Sequence, residues 1–374
     1  MSEEPSSVKR ARFLSRPANS VLLKLAAIAA LLYLFILSIT LLGVAVKLLG
    51  SDFAETIFQT TANPLVGLAI GILGTAVIQS SSTTTSFVVG LVGSGLLPFE
   101  AAIPMVMGAN IGTSVTNIIV SLAHISRGEE FKRAFAGAMV HDFFNVCAVI
   151  VLLPLQISFN LIGYTARQAE YLFAGFGGLE FASPLALITK PVANQIVHLT
   201  GDTAWLAIVV ALLMLFVALR YIVRVLKSLV LARVERFFQR YVFRTPILGF
   251  LLGVFLTVLV QSSSITTSIV IPLIGAGVLS LGQVFPYMLG ANVGTTITAF
   301  LASFATGSHE AVGVAFAHLI FNTYGILIFW PLKKIPIWLA TKLAEITQRR
   351  RIIPLLYIAV VFFIIPAAIL FLLD

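Results

Sequence analysis

Long apolar stretches alternate with short polar stretches along most of the chain. No Asp, Glu, Lys or Arg occurs from Thr56 to Phe99, from Thr245 to His309, or from Ile352 to Leu373. A helix needs about 20 predominantly apolar residues to cross a bilayer. The pattern therefore predicts seven crossing helices, at 22–49, 101–122, 131–155, 203–226, 283–305, 311–331 and 352–373.

Two further apolar stretches, 64–96 and 246–278, have a Ser/Thr-rich centre between two short arms. Each is typical of a re-entrant helical hairpin, which enters the membrane and returns to the side it came from. Polar backbone groups at such a tip must find partners within the membrane. The hairpin tips are therefore the first places to look for a polar site.

The chain contains an internal duplication. Residues 79–121 and 261–303 align without a gap and are identical at 20 of 43 positions, and both segments begin with QSSS. The match continues further on with five residues missing from the second copy, so that His141 meets His318 and Asn145 meets Asn322. Self-similarity over this length indicates two copies of one structural unit.

The two units are predicted to have opposite orientations. Each unit, 22–155 and 203–331, contains three spans and one hairpin, and an odd number of crossings inverts the second copy. With the N-terminus in the cytoplasm, 21 of the 24 Lys and Arg residues fall on the cytoplasmic side. This distribution agrees with the positive-inside rule, and it places the C-terminus outside the cell.

These patterns predict an all-α polytopic membrane protein with two inverted-topology repeats, each with a re-entrant helical hairpin, plus a final C-terminal span. The predicted order is a cytoplasmic tail (1–21), repeat 1 (22–155, hairpin 64–96), an extracellular connection (156–202), repeat 2 (203–331, hairpin 246–278), a cytoplasmic basic segment (332–351) and a last transmembrane helix (352–374).

Composition agrees with a membrane protein. Charged residues make up 10% of the chain, against about 25% in soluble domains. Too few polar side chains remain to cover one large soluble domain, and one cysteine excludes a disulfide scaffold. The net charge of +9 comes partly from the basic segment 220–244. We interpret that segment as an anchor on anionic lipid and expect no nucleic-acid binding, because no globular domain is available to carry it.

The Gln-Ser-Ser-Ser centres offer chemistry for both signs of charge. The N-terminus of the helix after each break presents N–H donors that favour an anion, and carbonyl and hydroxyl oxygens can ligate sodium. Alternatively, Ser and Thr in membrane helices are small packing residues that bond to their own helix. Because the Gln-Ser-Ser-Ser motif occurs at matching places in both units, we favour a binding site over simple packing. Transporters with inverted repeats and broken helices bind substrate where the repeats meet.

Asp142 is the only acidic residue well inside a predicted span, and intramembrane acids are usually functional. It shares a helix face with Asn145. A cation site and a proton relay remain open, as does a structural pair with His141 or a position near the helix end. The second copy has Leu319 there, so the repeats differ at this point.

No Lys or Arg lies in the hairpins or beside the Asn-Gly-Thr segments. We therefore expect bound cations and dipoles, rather than an arginine clamp, to neutralise an anion at the site. The chain has no Walker A, HExxH, GxSxG or CxxC motif. The sequence thus predicts neither an enzyme nor a bound organic cofactor.

Six ordered segments resemble the type II sodium-dependent phosphate cotransporters. They are QSSSTTTS at 79–86, GANIGTSVTN at 108–117, RAFAGAMVHDFFN at 133–145, QSSSITTS at 261–268, GANVGTTITA at 290–299 and the segment 318–322. The resemblance implies a symporter that moves sodium and inorganic phosphate into the cell, with sodium as the coupling ion. The family's disulfide-bonded, glycosylated loop has no counterpart in 156–202, which lacks cysteine and Asn-x-Ser/Thr.

The resemblance also implies the site. Phosphate and sodium would bind to residues of the two hairpins and to polar residues lining the same cavity: Gln79, Ser80, Ser81, Ser82, Thr83, Thr84, Asn110, Thr113, Gln261, Ser262, Ser263, Ser264, Asn292 and Thr295. Asp142, with Asn145, would bind a further sodium. Electrogenic members have Asp at that position and electroneutral members have Gly, which implies net charge movement here.

We expect a multi-pass protein in the plasma or inner membrane. Its expected partners are phosphate, sodium and the lipid bilayer, and it could form a homodimer. Two other functions stay open: a sodium symporter for another oxyanion or a dicarboxylate, and an anion channel. Competition against phosphate uptake would separate the first from phosphate symport, and flux without sodium dependence would indicate the second.

Overall fold

The computed structural model describes residues 16–175, 182–241 and 245–373, and the ordered elements in these ranges are helical. The first half contains α1 (Arg16–Lys47), α2 (Ser51–Thr61), α3 (Pro64–Ile78), α4 (Ser81–Ser94), α5 (Phe99–Gly112), α6 (Ser114–Leu122), α7 (Gly128–Phe159), α8 (Leu161–Gly175) and α9 (Ala182–Leu199). The second half contains α10 (Ala204–Tyr241), α11 (Pro246–Val260), α12 (Ser263–Gly275), α13 (Leu281–Thr306), α14 (His309–Phe329), α15 (Lys334–Arg349), α16 (Ile353–Ala359) and α17 (Ile365–Leu373).

Seven segments of the described chain are long and apolar enough to cross a membrane. They are 22–47, 99–122, 128–159, 204–226, 281–306, 309–329 and 353–373. Each corresponds to one predicted span, and no boundary differs by more than four residues. The prediction of an all-α polytopic protein is therefore confirmed, with seven candidate spans in the described chain. Most of the predicted tail 1–21 lies outside the described residues.

Both Ser/Thr-rich segments form two short helices separated by a two-residue break. The first arms, α3 and α11, begin with proline, and the preceding Asn63 and Thr245 cap them through their side chains. The arms end at Gln79 and Gln261, which have the same left-handed backbone with φ of +56°. This conformation is rare for a residue other than glycine. The two breaks therefore have the same backbone conformation and the same residue types, Gln followed by Ser.

Four helices were not predicted, namely α2, α8, α9 and α15. Each carries polar or charged residues that interrupt its apolar stretch, so a search for runs of bilayer length misses it. The helix α2 meets α3 at a bend of 97°. The segments predicted as an extracellular connection and a cytoplasmic basic segment are thus largely helical where the structure describes them.

Glycines hold the first arm of each broken segment against the long helix that follows. A Cβ added to Gly71 or Gly253 would lie 2.0 Å from a backbone oxygen, of Met105 and Tyr287 respectively. The reciprocal contacts are equally close: a Cβ on Gly108 would lie 2.1 Å from the Leu68 oxygen, and a Cβ on Gly290 would lie 2.0 Å from the Phe250 oxygen. The backbones of α3 and α5, and of α11 and α13, therefore touch directly.

The last span packs differently from the others. It is mostly exposed, it is interrupted by a π-helical turn at Val360–Ile364 just before Pro366, and it contacts α3 and α6. Proline cannot donate a backbone hydrogen bond, and a π turn accommodates this loss. The arrangement brings α16, with Tyr357, against repeat 1.

We expect Gly290→Ala to destabilise the protein by about 1–3 kcal/mol, because the added methyl group overpacks the contact between α11 and α13. Gly282→Ala on the same helix is the matched control, since a Cβ at that position meets no heavy atom within 4 Å. Thermal unfolding of the purified protein in detergent measures both variants. Equal midpoints for Gly290→Ala and Gly282→Ala would contradict the proposed packing role.

Candidate functional site

The tips of the two broken segments meet. The hydroxyl of Ser82 donates a hydrogen bond of 3.3 Å to the backbone oxygen of Gln261. A cavity of about 510 Å³ lies at this junction. Its lining residues are Ile78, Gln79, Ser80, Ser82, Thr83, Thr116, Phe216, Leu219, Arg220, Val223, Arg224, Gln261, Ser262, Ser264 and Ile265.

Each tip is stabilised by a serine cap. The Ser80 oxygen accepts from the Thr83 amide at 3.2 Å, and the Ser262 oxygen accepts from the Ile265 amide at 3.4 Å. A helix N-terminus has more N–H donors than one side chain can satisfy. Two helices, α4 and α12, therefore begin at the cavity wall and place their positive dipole ends beside it.

Seven of the residues predicted for the site line the cavity: Gln79, Ser80, Ser82, Thr83, Gln261, Ser262 and Ser264. Three others, Ser81, Thr84 and Ser263, are buried in the same first helical turns outside the lining. The sequence prediction thus agrees with the position of the cavity. Ligand binding by these residues stays a prediction.

The Asn-Gly-Thr residues lie outside the cavity lining. Asn110, Thr113 and Thr295 are buried, and their side chains donate to carbonyl groups of their own helices. Asn292 instead bonds to repeat 1, since its Oδ1 lies 2.8 Å from Nε2 of His141 and its Nδ2 donates to Asn145. The glycines beside these residues provide close helix packing. A direct role of Asn110, Thr113, Asn292 and Thr295 in binding stays a prediction.

A buried hydrogen-bond network joins the two repeats through α7. His141 Nδ1 lies 3.1 Å from the Ser114 hydroxyl, and Asn145 Nδ2 donates to the Asn110 carbonyl oxygen at 3.2 Å. With Asn292 from α13, these residues link four helices, namely α5, α6, α7 and α13. A polar network of this kind specifies one packing arrangement when its members are satisfied.

The equivalent residues of repeat 2 are not bonded in this way. Both ring nitrogens of His318 and the Oδ1 of Asn322 are buried without a hydrogen-bond partner among the described residues. The Asn322 Nδ2 bonds to the His318 carbonyl of its own helix. Two copies of one sequence pattern therefore have two different bonding arrangements.

The tip glutamines show the opposite asymmetry. Gln261 is held on both sides: its Oε1 accepts from the Thr298 hydroxyl at 2.8 Å, and its Nε2 donates to the Val258 carbonyl at 2.6 Å. The repeat alignment pairs Gln79 with Gln261 and Thr116 with Thr298. Gln79 is exposed and its side chain has no bond to the described chain, while the Thr116 hydroxyl is buried without a partner.

Asp142 is fully buried, and its Oδ2 accepts a hydrogen bond of 2.5 Å from the Tyr357 hydroxyl on α16. Asn145 makes its contacts with the network of α5 and α13 instead. Neither residue lines the cavity at the tips. The two residues thus have different main partners, although Ser114 interacts with Asp142 and also with His141 of the network.

The hairpins themselves contain no basic residue, as the sequence shows, but a neighbouring helix brings two arginines to the cavity. Arg220 and Arg224 of α10 line the cavity together with both tips. They lie more than a hundred residues from the first tip and beyond the first repeat. Inspection of the sequence around the hairpins therefore could not show that they line the cavity. The middle of α10, from Phe216 to Arg224, lies against the cavity.

Sequence reasoning also missed residues that hold the site. Thr116, Thr298 and Asn117 are polar residues of the long helices, and Asn117 Oδ1 accepts from Thr267 at 2.9 Å and from Ser268 at 3.1 Å. The repeat alignment offered a signal for the first two, because Thr116 and Thr298 occupy equivalent positions. Tyr357 gave no signal, since its segment lies outside both repeats.

We expect Asn145→Leu to reduce thermal stability more than Asn322→Leu, although the two positions are equivalent in the repeats. The first change leaves buried polar groups of Asn292 and Asn110 without a partner, at about 1–3 kcal/mol for each group. The second removes a buried acceptor that has no partner. Unfolding midpoints in detergent measure the difference, and equal losses would contradict the asymmetry.

Comparison with known proteins identifies the family. The family model described as Na+/Pi-cotransporter matches residues 34–185 and 213–335. Sodium-dependent phosphate transport protein 2A of Ovis aries is 34% identical over 94% of this chain and 68% of its own length. Sodium-dependent phosphate transport protein 2B of Homo sapiens is 32% identical over 90% of this chain and 63% of its own length. No solved structure matches the chain. By the family model and by these relatives, the chain belongs to the Na+/Pi-cotransporter family.

Proposed function

We propose that this protein is a symporter that uses sodium to carry inorganic phosphate across the cell membrane. The observation that carries the proposal is the meeting of the two Gln-Ser-Ser-Ser tips at one cavity. The relatives' names supply the substrate and the ion, since they are called sodium-dependent phosphate transport proteins.

The tips provide groups for both ligands. The amides in the first turns of α4 and α12, with their hydroxyl groups, suit the oxygens of phosphate. The carbonyl oxygen of Gln261 and the tip hydroxyls suit sodium, a small hard cation. Both ligands would replace the direct contact between Ser82 and Gln261, so binding would change how the tips fit together. Sodium arriving first and phosphate second is the order we propose.

The topology that follows from the basic residues forms part of the proposal. It places the N-terminus in the cytoplasm and inverts repeat 2 relative to repeat 1. The basic part of α10 then lies on the cytoplasmic side. Because Arg220 and Arg224 of that part line the cavity, the cavity of this conformation would open to the cytoplasm.

The unequal bonding of the repeats suggests how the cavity changes sides. In an inverted duplication, exchanging the conformations of the two copies gives the opposite-facing state. Gln261 bonds to Thr298 here, while Gln79 has no bond and Thr116 is its equivalent partner. We propose that the outward-facing state reverses this, with Gln79 bonded to Thr116 and Gln261 released.

Asp142 is the proposed site of a further sodium ion and of charge movement. Its carboxyl group is buried against Tyr357, apart from the cavity lining. A buried carboxylate needs a compensating cation or a hydrogen-bond set. The Ser114 side chain also interacts with this carboxyl group, and the Oδ1 of Asp142 makes no hydrogen bond of normal geometry with the described residues. This oxygen is the ligand that we propose for the ion.

Phosphate uptake into proteoliposomes tests the function. We expect an inward sodium gradient to drive accumulation of radioactive phosphate, and an equal potassium gradient to drive none. Gln261→Ala should abolish this uptake, because it removes a tip side chain on the cavity wall. The matched control is Ser121→Ala, since Ser121 is buried and bonds only to the Ile118 carbonyl of its own helix. Uptake without sodium would contradict the coupling.

The same assay separates the alternatives. A transporter for another oxyanion or a dicarboxylate would be inhibited more strongly by that anion than by unlabelled phosphate. A channel would show flux that rises linearly with substrate and does not follow sodium. Normal uptake by folded Gln261→Ala protein would contradict the assignment of the tips, whatever the substrate.

For Asp142→Gly we expect sodium-dependent phosphate uptake to continue while the phosphate-induced current disappears, because one charge-carrying sodium is lost per cycle. Tyr357→Phe serves as the control, since it removes the hydrogen bond but keeps the carboxyl group and should retain current. Electrical recording of protein adsorbed on a supported membrane measures both variants. A persisting current in Asp142→Gly would exclude this residue from charge movement.

A further inference from the structure

Two arginines of α10 share the cavity with the hairpin tips. Arg220 and Arg224 are four residues apart, so they lie on one face of the helix, one turn from each other. Both are exposed, and both line the cavity that also contains Gln79 and Gln261. The ion pairs found in the described part of the chain include neither arginine.

Each guanidinium group lies near an aromatic ring of the same helix. The Arg224 guanidinium carbon lies 5.0 Å from the centre of the Tyr221 ring, and that of Arg220 lies 5.8 Å from the centre of the Phe216 ring. A cation near a ring face is attracted by the ring quadrupole. Neither guanidinium group makes an ion pair with the described part of the chain, so its N–H donors remain available to an anion.

The position of Arg220 argues against a purely anchoring role. It lies six residues before Leu226, the last residue of the apolar span, which is about 9 Å of helix at about 1.5 Å per residue. A charge inside the membrane region is costly unless it faces a polar cavity or a partner. The wall that these arginines share consists of the tip Gln and Ser side chains rather than apolar helix surface alone.

We propose that Arg220 and Arg224 form a second anion station, which phosphate occupies between the hairpin tips and the open side of the cavity. The proposal rests on the proposed phosphate transport. Guanidinium groups bind phosphate oxygens through paired N–H donors, and two positive charges in a cleft raise the local anion concentration. The station would bind phosphate from the side to which the cavity opens, even when the tips hold no sodium.

The station predicts a defect on one side of the membrane. In proteoliposomes selected for one protein orientation, the double variant Arg220→Gln/Arg224→Gln should raise the half-saturating phosphate concentration on the cavity side by about tenfold, since charged hydrogen bonds are lost. The value on the other side should stay unchanged. Arg350→Gln is the matched control: it removes an exposed basic residue that does not line the cavity. Equal changes on both sides, or no change, would overturn the proposal.

A lipid phosphate group has the same chemistry as free phosphate, so lipid composition must be varied. The measurement is repeated in vesicles of neutral phosphatidylcholine and in vesicles that contain anionic phosphatidylglycerol. We expect the sided defect in both. A defect found only with the anionic lipid would show that the arginines hold a lipid headgroup, and would overturn the station for transported phosphate.

A binding measurement separates this proposal from the transport function itself. Phosphate without sodium should raise the unfolding midpoint of the wild-type protein and of Arg350→Gln, and should not raise that of the double variant. If the wild-type protein shows no sodium-driven uptake, the proposed function alone is contradicted. If uptake is normal but phosphate raises the unfolding midpoint of the double variant as much as that of the wild type, the station alone is contradicted. Arg220→Lys/Arg224→Lys should restore part of the response, because it keeps the charge but loses the paired donors.

Discussion

A helix that breaks between apolar arms leaves backbone groups that must find partners, and the rest of this structure depends on how the chain meets that constraint. The two breaks use the same solution, a glutamine with left-handed backbone followed by a serine that caps the next helix. Glycine contacts hold the first arms against the long helices α5 and α13. These arms are held by backbone contact, and the tips meet at a cavity that both polar tip residues and apolar helix residues line.

The duplication makes the two halves alike in packing and unlike in bonding. The glycine contacts recur at equivalent positions within 0.1 Å, at 2.0 and 2.1 Å. The polar contacts differ: Gln261 is bonded to Thr298 while Gln79 is not bonded, and His141 is bonded while His318 has no partner in the described chain. Equal backbone contacts with unequal polar contacts fit the exchange that we propose, in which weak and replaceable interactions change between two states.

Much of the fold could be predicted because membrane spans leave a strong signal in sequence. The apolar stretches fixed the seven spans, and the repeated QSSS indicated both breaks and seven residues of the cavity lining. Helices such as α2 and α9 escaped, since they lack bilayer-length apolar runs. Arg220, Arg224 and Tyr357 escaped for another reason: their roles depend on which helices pack together, and neither hydropathy nor the repeat encodes the contact of α10 with the tips or of α16 with Asp142.

If the two tips exchange bonding states as the cavity changes sides, paired cysteines should detect the exchange by cross-linking. In a Cys147→Ala background, Gln261→Cys/Thr298→Cys is compared with Gln79→Cys/Thr116→Cys. We predict that the first pair forms a disulfide in the state that faces the cytoplasm and the second pair only in the state that faces outward, so that each disulfide traps the protein with a different side accessible. Both pairs cross-linking in the same trapped state would contradict the account.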